Sequence, residues 1–77
     1  MNKERRKVIE SLLRQCDLVK CKMKISKDQE DYAYECLPEN LQNTEKGEKM
    51  QSNIDDLESA LSSIEEVVSS LQDIIER

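Results

Sequence analysis

A chain of 77 residues with 36% hydrophobic, 38% charged and only two aromatic side chains, Tyr32 and Tyr34, excludes a large globular core. It leaves one small domain spanning 1–77, marginal without a metal, a disulfide or a partner subunit. One glycine and one proline are too few for the many turns of an all-β fold, and the absence of histidine removes Ser-His and Cys-His catalysis and His-based metal sites.

The net charge of −5 is unevenly distributed. Residues 1–27 carry nine Lys/Arg against three Asp/Glu, a net of +6, whereas residues 28–77 carry three against fourteen, a net of −11. An antiparallel arrangement would lay the basic N-terminal arm along the acidic C-terminal arm. The basic arm lacks interleaved aromatics for stacking on bases, and the chain as a whole is acidic, with pI ≈ 4.7. Direct DNA binding is not expected.

The N-terminal segment MNKERRKVIESLL is basic, but charges interrupt its apolar residues. A secretory signal needs an apolar run of about 7–15 residues and a membrane span about 20. The expectation is a cytoplasmic protein without a membrane anchor. Asn2 is placed to cap a first helix. Ile9, Leu12, Cys16, Val19 and Met23 keep a 3-4-3-4 spacing, widened by Val8, Leu13 and Leu18.

Beyond Met23 the seam weakens, because Ser26 and Glu30 take the next core positions before Ala33 and Leu37 restore the phase. Ser26 and Gln29 match a capping box, and lysines precede them as they would at a helix end. No Gly or Pro interrupts the stretch, however, and the heptad phase survives it. The spacing therefore predicts one long helix over about 2–36, strained or kinked near Ser26, in preference to a true break there.

Pro38 ends that helix. The residues PENL suit one loose helical turn with Leu41 tucked against the second arm, and 37–43 form the turn. Asn43 or Thr44 then caps a second helix over about 44–76, with Glu45 and Glu48 at the positive end of its dipole. Gly47 falls in the first turn of this helix, where it is ~1 kcal/mol worse than Ala. Close approach of the first arm, through Tyr34, would account for it.

The second helix carries the strongest periodicity. Met50, Ile54, Leu57, Leu61, Ile64, Val68, Leu71 and Ile75 form an unbroken heptad seam, and Ala60, Val67 and Ile74 add a third apolar column. A stripe this wide predicts more than one neighbour. The expected fold is an all-α antiparallel hairpin of two long helices, forming a bundle by self-association as a homodimer.

Three cysteines, an odd number, read as free thiols in a reducing compartment. Cys16, Asp17, Cys21 and Cys36 are the candidate zinc ligands, since zinc accepts thiolates and carboxylates. On one straight helix Cys36 lies about 22 Å beyond Cys21, so a site within one chain requires reversal near Ser26. Paired carboxylates such as Asp55–Asp56 and Glu65–Glu66 fall on a polar helix face. With no apolar cleft to shift their pKa values, they read as a solvated face and not as an acid–base pair. No enzyme is expected.

Asp28, Gln29 and Glu30, then Tyr34, LPENLQ at 37–42, KGEKM at 46–50 and the acidic helix at 54–75 together resemble a group of small proteins of phages and mobile elements of Gram-positive bacteria. The resemblance covers about two thirds of the chain. It implies a continuous helical hairpin without enzymatic activity. The three cysteines stand outside the shared pattern, which carries Asn where this chain has Cys36. Small acidic phage proteins of this kind often block host defence, and anti-CRISPR proteins that bind Cas9 are a prominent class. The partner implied is a host defence nuclease such as Cas9, contacted through Asp55, Asp56, Glu58, Glu65, Glu66 and Asp73.

Overall fold

The computed structural model describes all residues, 1–77. It is all-α, with α1 at Lys3–Glu35, a single helical turn α2 at Glu39–Gln42, and α3 at Glu45–Glu76. Each long helix is about 48–50 Å in length, and the molecule measures 59 × 14 × 14 Å. That box holds both helices only side by side, and the short connecting segment makes them antiparallel. The radius of gyration, 17.4 Å, exceeds the ~11 Å of a compact domain this size. The molecule is a rod.

Helix α1 starts where Asn2 Oδ1 accepts the Arg5 N–H at 2.8 Å, satisfying one of the unpaired amides of the first turn. It then runs without interruption through Ser26. The capping-box signal at Ser26–Gln29 is overridden because no residue there breaks helical geometry and each backbone amide finds its intrahelical partner. The first arm does not reverse.

The end of α1 is held by the connecting segment. Cys36 N–H bonds Tyr32 O and Leu37 N–H bonds Tyr34 O. The Gln42 amide donates to Leu37 O at 3.2 Å and lies 3.5 Å from Tyr34 O, so a side chain supplies donors that the helix end lacks. Leu41 is exposed instead of tucked in; Gln42 takes the inward position. Thr44 occupies the N-cap of α3, but its hydroxyl donates to Leu41 O and does not cap the helix amides.

Gly47 is buried. A Cβ built there would collide with Gln42 O and lie 2.7 Å from Gln42 Cα. The close approach that demands glycine therefore comes from the backbone of Gln42, not from Tyr34.

Two links between the long helices fix their register. Lys27 Nζ reaches Glu58 Oε1 at 3.3 Å, and Asn53 Nδ2 donates to Glu30 Oε2 at 2.8 Å. This places Leu37 level with Gly47, Met23 with Leu61, and Cys16 with Val68. Ile54, Leu61 and Val68, spaced by seven on α3, are the only hydrophobic side chains that become buried, at 4%, 9% and 7% exposure.

The inner face of α1 is not the one its apolar residues suggest. Ile9, Cys16, Met23 and Leu37 are half-buried as expected, but the second inner column is Leu13, Lys20, Lys27 and Tyr34. Leu12 and Val19 are exposed. Lysine stems can cover apolar surface while their heads reach outward. Lys27 does this, 23% exposed, bonding Asp31 on its own helix and Glu58 on α3.

Two outcomes test this packing. Gly47→Ala should lower stability by about 1–3 kcal/mol, because overpacking against backbone outweighs the ~1 kcal/mol gain in helix propensity. Urea unfolding followed by circular dichroism reads this, and a stabilised variant would contradict the contact. The Lys27 pKa is raised from 10.5 by its hydrogen bonds to Asp31 and Glu58. Its contribution is therefore fully present below pH 10.5 and is lost as pH rises through the higher folded value. Between neutrality and pH 10, Lys27→Met should be less stable than the parent by a constant amount, with the gap closing above. A gap that instead opens in alkali would contradict the assignment.

Candidate functional site

Helix α3 presents Asp55, Asp56, Glu58, Glu65, Glu66 and Asp73 at its surface, all exposed. They do not form one patch. Glu58 turns toward α1 and is held by Lys27. Asp55 accepts a hydrogen bond from Gln51 at 3.2 Å. None of the six except Glu58 has a cationic partner within 4.0 Å. From Asp55 to Asp73 the carboxylates extend about 27 Å along the helix, a spread suited to an extended basic surface and not to a point ligand.

Surface depressions between the helices are open and lined mostly by polar residues. One is lined by Ser26, Glu30, Asn53, Asp56 and Leu57, another by Lys24, Lys27, Asp28, Glu58, Leu61 and Ser62. Neither surrounds a carboxylate with apolar walls, the condition that would drive its pKa toward neutrality.

The candidate zinc ligands stay apart. Cys16 lies on the inner seam, half-buried, while Cys21 and Cys36 are exposed and all three are free thiols. Because α1 is continuous, Cys36 does not return beside Cys16, and no group of three or more Cys, Asp or Glu side chains stands close enough to hold a metal ion. Cys16, Asp17, Cys21 and Cys36 of one chain do not make a tetrahedral donor set. Cys36 instead neighbours Tyr32 one turn back, and hydrogen bonding to this thiol pushes the Tyr32 phenol up from 10.0.

Two apolar features are more prominent in the structure than in the sequence. Leu12 and Val19 on α1 are 43% and 46% exposed, and Val67 on α3 is 45% exposed. Ala60 and Ile74, in the same column as Val67, are only partly covered. The antiparallel register brings the Leu12–Val19 column and the Ala60–Val67–Ile74 column to the same side of the rod. The opposite side is polar, with Asp17, Lys24 and Asp31 beside Glu58, Glu65 and Gln72. On the back of α1, Leu18, Ile25 and Tyr32 are exposed at strict seven-residue spacing. That spacing was visible in the sequence, but Leu18 was absorbed there into the inner seam.

No known protein family, curated protein or solved structure matches the chain. No helix is long and apolar enough to cross a membrane.

Thiol accessibility checks the placement of the cysteines. Native protein titrated with an aromatic disulfide reagent should show two fast-reacting thiols, Cys21 and Cys36, and one slower thiol, Cys16, that becomes fast in denaturant. Three equally fast thiols would mean that the seam is open at Cys16.

Proposed function

We propose that this chain is a non-catalytic phage or mobile-element interaction protein, an anti-CRISPR inhibitor that binds a host defence nuclease such as Cas9 and interferes with its loading of nucleic acid. The observation that carries this reading is the unpaired carboxylate surface of α3. Asp55, Asp56, Glu65, Glu66 and Asp73 lack cationic partners on a rigid helix of 32 residues. Nucleases of this class hold a guide–target duplex in a positively charged channel and recognise it through its backbone. A stiff acidic rod can occupy such a channel without chemistry of its own. Glu58, engaged by Lys27, contributes less than the other five.

A second reading is a dimeric helical subunit that joins other phage or mobile-element components. The half-covered column of Ala60, Val67 and Ile74 favours it, because a wide apolar stripe on a two-helix rod leaves surface for another helix pair.

Capture and cleavage assays with Cas9 orthologues test the first reading. A complex that forms and slows cleavage is expected. Neutralising Glu65, Glu66 and Asp73 together (to Gln, Gln and Asn) should weaken the complex by about tenfold or more and flatten its salt dependence. Unimpaired cleavage with no complex would overturn the reading.

A further inference from the structure

We infer that the chain forms a homodimer through one particular side of the rod, with the two-fold axis running parallel to the helices, so that α1 of each copy lies on α3 of the other. The inference builds on the self-association reading and supplies its face and symmetry.

Three observations carry it. The first is apolar surface that both helices contribute to one side of the rod. Leu12 and Val19 come from α1, and Ala60, Val67 and Ile74 from α3. The register fixed by Lys27–Glu58 and Glu30–Asn53 sets these columns at the same height. The other side of the seam is polar, and the Leu18–Ile25–Tyr32 stripe on the back of α1 comes from one helix alone. A helix with three apolar columns has two helical neighbours, and within the hairpin each long helix has only one.

The second observation is the small core. Only 4 of 77 residues are buried, and one of them is Gly47. Two hairpins packed face to face convert the seam into the interior of a four-helix bundle, with every adjacent helix pair antiparallel.

The third observation selects the axis. The apolar side chains lie in the half of the rod away from the turn. Alongside one another, residues 1–26 sum to +5 and residues 58–76 of α3 to −5, through Glu58, Glu65, Glu66, Asp73 and Glu76, with Glu58 and Glu65 on the far side of the seam from the apolar face. A two-fold perpendicular to the helices would stack α1 on α1 and α3 on α3, placing like charge on like. A two-fold parallel to them stacks α1 on α3, placing basic on acidic, and holds both copies in register. Like charges across an interface oppose association and opposite charges fix its register. The helices, through charges that flank the apolar face and do not lie on it, are therefore complementary under one operation. Glu66 and Asp73 stay on the outer surface of such a dimer.

Sedimentation equilibrium on the intact chain, its Val67→Glu and Leu12→Glu variants, and Leu18→Glu as a control on the back of α1 tests the face. The parent should be dimeric at micromolar concentration. Each charge placed on the face should raise the dimer Kd by about a hundredfold while the helical circular dichroism signal is retained, and Leu18→Glu should leave Kd unchanged. A monomeric parent would overturn self-association itself. A dimer dissociated by Leu18→Glu and indifferent to Val67→Glu would keep self-association and overturn the face.

The axis has its own test. In a background with Cys16, Cys21 and Cys36 replaced by Ser, chains carrying Val19→Cys and chains carrying Val67→Cys are mixed and oxidised. Disulfides should form between unlike chains. Cross-linking of Val19→Cys chains to one another, or no preference for the mixed product, would overturn the axis.

Discussion

The hairpin depends on the absence of one side chain. At Gly47, a seam position of α3, the backbone of Gln42 lies where any Cβ would sit. Its neighbours on the same column, seven and fourteen residues on, are Ile54 and Leu61, which face α1. Glycine lets the connecting segment occupy the space that side chains fill farther along the rod. The Gln42 side chain then bonds Leu37 O and so ties the last turn of α1 to the first turn of α3. Moving this contact by one residue would rotate α3 by about 100° and turn Ile54, Leu61 and Val68 away from α1.

From that contact outward, the seam is asymmetric in composition. α3 supplies the apolar side chains. α1 answers with a mixture in which Lys20, Lys27 and Glu30 occupy inner positions beside Cys16 and Met23. A polar side chain on a two-helix seam is tolerable because the seam is thin and its edges are wet. The heads of Lys27 and Glu30 both find partners on α3. These two links specify register more than they add stability, since partly exposed ion pairs contribute little while an unmatched inner charge would be unfavourable in any slipped alignment.

Much of the fold was legible in the sequence. The heptad spacing of Met50 through Ile75, Pro38 as a stop and Asn2 as a cap all read correctly, because each is a local signal with a local cause. The inner face of α1 was harder to read. Ile9, Cys16 and Met23 fit a second column at either Leu12–Val19 or Leu13–Lys20, and hydrophobicity favours the former. The structure uses the latter, because burial on a thin seam depends on where the partner helix lies and lysine stems can fill such places. The role of Gly47 was legible as a need for close approach, but the group that approaches is set by the path of 36–44, which no periodicity encodes. The acidic residues of α3 were correctly placed at the surface; that Glu58 differs from the rest needed the position of Lys27. The cysteines were legible only as free thiols, and their separation follows from the continuity of α1.

The charge of the end away from the turn has a consequence for how each helix is held together. The N-terminus of an α-helix is the positive end of its macrodipole and the C-terminus the negative end. Here Lys3, Arg5 and Arg6 outnumber Glu4 in the first turn of α1, while the last turn of α3 has Asp73 and Glu76 and no basic residue before the C-cap Arg77. Each helix thus carries charge of the sign its own dipole disfavours, and charge of the sign its neighbour's dipole favours. Asn2 caps the first turn of α1, but the charges of both terminal turns become favourable only when the other helix is alongside. Helical order at this end is therefore a joint property of the two strands of the rod. It should fray first, and as a pair, wherever salt screens that mutual attraction.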